Sequence, residues 1–207
     1  MFDFITDLDE YFCQRYAGYD KMCILKGYKM PVRQTSQVRN GKTYAYTRPE
    51  SEMRLALQEN KTDLLKQLKA KMSDKTFSFT FRTMNFFTRI RNRKFYKGAV
   101  TAVKETFKKY GLSGETLPEG VAIDPQIWQN ICKDKFLPSK NLIFTLALTA
   151  HFSVGDTQML LEACDYAFDF AIEKDVVVAY LLEQKMFNRD MIDAALKEYK
   201  VAHLFLK

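Results

Sequence analysis

Two strongly apolar runs, residues 142–152 (LIFTLALTAHF) and 176–182 (VVVAYLL), constrain the fold of this chain more than any other feature. A helix that is apolar on every side has to be buried, because water gives it no favourable surroundings. A bilayer-spanning helix needs about 20 consecutive apolar residues, so neither run is long enough to find its cover in a membrane. Both therefore belong in the centre of a packed helical domain. The composition supplies the rest of the core, with 47% hydrophobic and 14% aromatic residues, which excludes a globally disordered chain.

Start and stop signals surround these runs. A helix over 99–110 ends at Gly111, where a left-handed cap is natural. Asp124-Pro125 opens another, with Asp as N-cap and Pro at the first helical position, carrying Ile127, Trp128 and Ile131 inward. Pro138-Ser139 breaks the chain before the apolar helix of 142–152. Ser153 and Asp156 read as a capping box before Met159-Leu160-Leu161. Helices over 173–186 and 188–199 follow, the second capped by Asn188.

The first half is organised differently. Phe2, Ile5, Leu8, Phe12 and Tyr16 form a helical stripe opposite Asp3, Asp7 and Glu10. Residues 32–38 and 43–47 flank Arg39-Asn40-Gly41-Lys42 and read as a β-hairpin, because a type I′ turn needs positive φ at both central positions; a mobile loop is the alternative. From Pro49 to Met72 an apolar stripe (Met53, Leu57, Leu64, Leu65, Leu68, Met72) predicts a helix. Phe77, Phe79 and Phe81 alternate with Ser78 and Thr80, as a short strand or the start of a buried helix would. The expectation is a mainly α helical bundle in two parts: 1–98, with a hairpin near 30–47, and 99–207.

Charge and chemistry narrow the function. The 32 Lys and Arg exceed the 25 Asp and Glu, giving +7, a balance that permits binding to phosphate backbones or acidic partners. Cys13, Cys23, Cys132 and Cys164 are scattered, and His151 and His203 have no ligand at metal-binding spacing, so no metal or cofactor is expected. The opening MFDFITDLDEYF puts acids where a signal peptide needs bases, and a cytoplasmic protein with reduced thiols is expected. No nucleophile elbow, phosphate loop, dinucleotide fingerprint or H-E-x-x-H is present, and no enzyme is expected.

Spacing is most specific between Lys104 and Leu161. A helix over 103–110 leads through Gly111-Leu112-Ser113 to a short segment around Leu117. Ala122-Ile123-Asp124, Lys135-Phe-Leu-Pro138-Ser139 and Phe152-Ser153-Val-Gly-Asp156 follow in turn. This series resembles the Cro/C1-type (XRE, lambda-repressor-like) helix-turn-helix family, over less than a third of the chain. Ala122 stands where that family has Gly, and Pro118 and Gly120 fall within its second helix, where each disfavours helix. Residues 160–166, 174–180 and 188–196 are similar to the helical ending of a set of bacterial proteins carrying the same module. The resemblance implies that the outer face of 125–133 enters the DNA major groove. Gln126, Gln129 and Asn130 would then read bases, Lys133 would reach guanine or a phosphate, and Lys135, Ser139 and Lys140 would lie on phosphates.

A second basic element is independent of that resemblance. Residues 82–97 interleave Arg82, Arg89, Arg91, Arg93, Lys94 and Lys97 with Phe86, Phe87, Ile90, Phe95 and Tyr96. The rings and Ile90 read as core, and Arg89, Arg91 and Arg93 as contacts to phosphate or an acidic protein partner. The preferred expectation is a DNA- or RNA-binding regulatory protein, with DNA the first choice, open to homodimer formation. The alternative is a helical protein–protein interaction or adaptor protein that keeps the helix-turn-helix framework without binding DNA.

Overall fold

A computed structural model describes residues 4–17, 34–47, 61–72, 81–83, 90, 92–201 and 204–207. The chain is mainly helical, with a small two-stranded antiparallel hairpin. It forms two compact units, one of residues 1–72 with 170–172, the other of residues 73–169 with 173–207. The two units meet at 72/73 in sequence, and a single helix, Arg93–Lys109, runs through 98/99.

In the first unit, α1 (Phe4–Arg15) buries Leu8 and Phe12, the inner side of the predicted stripe. It packs on α2 (Lys61–Lys71), which buries Leu65 and Leu68, and Lys69 Nζ lies 2.7 Å from Asp9 Oδ1 across the pair. The stretch from Pro49 to 60, expected to be helical, lies outside the described residues. The Ala17 N–H donates to the Phe170 carbonyl at 2.8 Å, joining residues 170–172 to this unit. The hairpin forms as expected: β1 (Gln34–Arg39) pairs with β2 (Lys42–Thr47), and Asn40 and Gly41 hold φ of 52° and 71°. Two consecutive positive φ values are the type I′ requirement, and the turn fixes a register in which Arg39 faces Lys42 and Gln34 faces Thr47.

Among its described residues the second unit is mainly helical and has one short sheet. β3 (Arg82–Thr83) pairs antiparallel with β4 (Phe136–Leu137). Phe81, expected in an alternating strand, is buried just before β3, with its ring 5.9 Å from Phe205; residues 77–80 lie outside the described set. The helices are α3 (Arg93–Lys109), α4 (Pro125–Cys132), α5 (Lys140–Thr149), α6 (Val154–Ala163), α7 (Glu173–Glu183) and α8 (Arg189–Glu198). As the apolar runs demand, α5 is buried from Asn141 to Leu148 and α7 from Lys174 to Leu182. The two pack on each other, α6 lies against both, α8 covers α7 and α3 covers α6.

Local chemistry starts and ends these helices. Asp124 Oδ1 accepts from the N–H groups of Gln126 (2.8 Å) and Ile127 (3.1 Å), and Asn188 Oδ1 from those of Asp190 and Met191. Every helix from α3 to α8 ends in the same way. The residue after the C-cap takes positive φ (Gly111, Asp134, His151, Asp165, Lys185, Lys200), and the next N–H donates back to a carbonyl five residues earlier. This is the Schellman ending, which satisfies carbonyls the helix leaves open. Only the first uses glycine. The residue after each turn is apolar or aromatic (Leu112, Phe152, Tyr166, Met186, Val201), except after α4, where it is the exposed Lys135.

Candidate nucleic-acid interface

The segment that positions α4 is not helical. Residues 111–124 contain no helix, and Gly120 takes φ of 73°. Proline lacks the N–H that a second helix would need at 118, and the backbone is satisfied elsewhere. The Ala122 N–H donates to the Phe205 carbonyl at 2.6 Å and the Lys207 N–H to the Gly120 carbonyl at 3.0 Å, with Val121 bridged to Leu206. Residues 204–207 thus zip onto the connection. Trp128 ties the connection to α4: its Nε1–H points at the carbonyls of Ser113 (2.9 Å) and Thr116 (3.0 Å), and its ring stacks on Phe107 at 5.2 Å. Trp128 and Ile131 are both 1% exposed, the inward side read from their spacing.

The outward side carries the expected polar set. Gln126, Lys133 and Lys135 are exposed, and Gln129 and Asn130 are half-buried. Among the described residues, no hydrogen bond or ion pair engages any of these five side chains. Asp134, between the two lysines, is bound by Lys104 of α3. Burial, and secondarily Asp134, push the nearby Cys132 thiol up to about 11.

Ser139 and Lys140 are not where a phosphate would need them. Ser139 is buried as the N-cap of α5, its hydroxyl accepting from the Leu142 N–H at 3.3 Å. The Lys140 ammonium is bound to the carboxylate of Asp175, which also accepts from the Asp169 N–H at 2.6 Å, and it lies 5.6 Å over the Phe144 ring. Asp175 is only 1% exposed; burial raises its pKa, against the pull of Lys140. A lysine that neutralises a buried carboxylate cannot leave it for solvent without a large desolvation cost. Both residues serve the fold, Ser139 through a local cap and Lys140 through a partner 35 residues away in sequence.

The basic-aromatic segment is open in its described part. Arg93 is exposed at the start of α3, as are Lys94 and Lys97, and the first turn has no acid; Arg89 and Arg91 lie outside the described residues. Ile90, expected in the core, is 61% exposed, and Phe95 36%, because the inner side of α3 begins at Ala99 and continues through Val103 and Phe107. Arg82 is engaged: it donates to the Cys164 carbonyl at 3.2 Å and lies 4.8 Å over the Tyr166 ring.

A polar junction behind α3 was only partly foreseen. The Ser153 hydroxyl accepts from the Asp156 N–H at 3.1 Å, as a capping box requires, but the Ser153 N–H donates to the Tyr110 hydroxyl at 2.9 Å instead of to Asp156. The Asp156 carboxylate gathers Lys109 Nζ (2.7 Å), the Ser153 hydroxyl and the Tyr110 hydroxyl (2.6 Å). These bonds, that from Lys109 foremost, pull its pKa down to about 2. His151 is an exposed left-handed residue after α5, its ring stacked 4.5 Å from Phe187.

The chain matches no family model, no curated protein and no solved structure. The chemistry of the site therefore rests on its own residues. Amide side chains such as Gln126, Gln129 and Asn130 pair with the donor and acceptor edge of adenine, and ammonium groups such as Lys133 and Lys135 meet phosphates or guanine. Among the described residues no group of three His, Cys, Asp or Glu could hold a metal ion, and no helix is long and apolar enough to cross a membrane.

Proposed function

We propose that this chain is a nucleic-acid-binding regulatory protein that meets duplex DNA with the outer face of α4. The observation that carries the reading is the set of five polar side chains, Gln126, Gln129, Asn130, Lys133 and Lys135, that engage nothing within the described residues while the opposite side of the helix is anchored by Trp128 and Ile131. An anchored helix holds such groups at fixed spacing, which lowers the ordering cost of binding. Asp124 occupies the positive pole of the helix at its start, so attraction to phosphates comes from Lys133 and Lys135 at the other end, with Arg93, Lys94 and Lys97 as further cations. A bacterial, cytoplasmic repressor acting as a homodimer on a palindromic site is the form this reading takes by resemblance.

The test is fluorescence anisotropy with DNA duplexes across a salt series. Affinity falls linearly with salt on logarithmic axes, and Lys133→Ala/Lys135→Ala makes that line shallower by about 2. Gln126→Ala/Asn130→Ala keeps the slope and loses preference among duplex sequences. Binding that is absent, or indifferent to salt, overturns the proposal.

One observation favours a second reading, a helical interaction protein. In helix-turn-helix repressors the helix before the recognition helix crosses the DNA backbone, and here that position is the non-helical 111–124. Capture of one stoichiometric protein partner, with no nucleic-acid binding, selects this reading instead.

A further inference from the structure

We infer that the β1–β2 hairpin is a second DNA-contacting element, a ribbon that enters the major groove; the inference rests on the chain being a duplex-DNA binder. Residues 33–48 carry Arg33, Arg39, Lys42 and Arg48 and none of the chain's 25 carboxylates. Arg39 and Lys42 stand directly opposite each other in the pair nearest the turn. The sequence thus brings cations and no acid to the turn end of the ribbon, a balance that suits a phosphate backbone.

One face of the ribbon is wholly open. Gln34 and Thr47, Ser36 and Ala45, Val38 and Thr43 are cross-strand partners, and all six residues are exposed. Apart from Gln34 their side chains are short, so the backbone from Ser36 to Ala45 can approach an opposing surface closely. Four of them, Gln34, Ser36, Thr43 and Thr47, carry an amide or hydroxyl, the groups that bond base edges, and the small apolar groups of Ala45 and Val38 suit a thymine methyl. A protein partner would find only Val38 and Ala45 to bury on this face, too little apolar area to hold it. The B-form major groove admits a two-stranded β-ribbon, and the type I′ turn gives this one a fixed register and a narrow tip. A-form RNA has a major groove too narrow for it.

The experiment uses the full chain and four variants against one fluorescein-labelled mixed-sequence DNA duplex, with an RNA duplex of the same sequence as a second probe. Arg39→Ala/Lys42→Ala is expected to make the salt line shallower by about 2 and to weaken binding roughly tenfold or more near physiological salt. Thr43→Glu, which puts a carboxylate on the open face, should weaken binding comparably, and Thr43→Gln should not. Circular dichroism and melting temperature confirm that each variant is folded.

If the hairpin variants bind like the unmodified chain while Lys133→Ala/Lys135→Ala is weakened, the inference is overturned and the α4 reading stands. If the hairpin variants are weakened and the α4 variant is not, the hairpin stands and the α4 reading falls. Equal affinity for the RNA duplex overturns insertion into the major groove. No binding to either probe overturns both.

Discussion

Replacing Lys185 with glycine should stabilise the second unit. Lys185 is the left-handed residue that ends α7, at φ of 53°, and it is exposed. Its own N–H reaches the Leu182 carbonyl at 3.2 Å, and the Met186 N–H reaches that of Leu181 at 2.8 Å, so the backbone is held in this conformation from both sides. No interaction of its side chain with the described residues offsets the strain. An L-residue in the left-handed region bears about 1–2 kcal/mol, because its Cβ crowds the following carbonyl. Glycine removes that term but adds unfolded-state freedom of about 0.5–1 kcal/mol, leaving a net gain of about 0.5–1 kcal/mol. For a chain of this size that corresponds to a rise in Tm of about 1–4 °C. Thermal and urea denaturation of Lys185→Gly beside Lys185→Ala isolates the cause, since alanine loses the long side chain and keeps the Cβ. Gly111→Ala is the reciprocal control: a Cβ there meets nothing within 4 Å, yet φ of 68° makes it costly, by about 1 kcal/mol. The reasoning is refuted if Lys185→Gly is no more stable than Lys185→Ala, or if Gly111→Ala is neutral.

Two further outcomes follow from the buried acids. The Asp156 carboxyl ionises at about 2 in the folded chain, against an ordinary value of 3.8. A depressed acid stabilises fully above its unfolded value and progressively less as pH falls toward the folded one. It therefore contributes about 2 kcal/mol at neutral pH that fades between about pH 4 and 2. Asp156→Asn should lower stability at pH 7 and flatten the acid limb of the urea midpoint against pH; an unchanged limb contradicts the assignment. Lys140→Met strands the buried Asp175 and should cost about 3–5 kcal/mol at pH 7. Burial already raises the pKa of Asp175, so the loss should shrink as the pH is lowered and the carboxyl takes a proton, and Lys140→Met/Asp175→Asn should recover part of it. Equal destabilisation at pH 5 and pH 8 argues against a stranded charge.

What the sequence made legible was local. Asn40-Gly41 fixes a hairpin because the turn needs its two residues and little else, and Asp124-Pro125 and Asn188 start helices by bonds two or three residues long. The outward amides of α4 followed from the inward spacing of Trp128 and Ile131. The misreadings were non-local. Lys140 looked available because its partner, Asp175, lies on a distant helix; Ser139 is the exception, its hydroxyl taken up by a local N-cap bond to the Leu142 N–H three residues on. The left-handed ends at Asp134, His151, Asp165, Lys185 and Lys200 carry no glycine to announce them, since packing imposes what local preference opposes. Pro118 and Gly120 did warn that a second helix was compromised, but nothing near them in sequence pointed to residues 205–207 as the replacement support.

That support has a bearing on biosynthesis. Besides the bond from the Val121 N–H to the Pro118 carbonyl, residues 120–122 find backbone partners in Phe205, Leu206 and Lys207. A ribosome adds about 5–20 residues per second, so the ledge under Trp128 must wait several seconds, half-built, until those three residues clear the exit tunnel. The helix proposed to meet DNA thus acquires its finished seat only after residues 205–207 have been made, and a nascent chain stalled before residue 205 would display α4 without it.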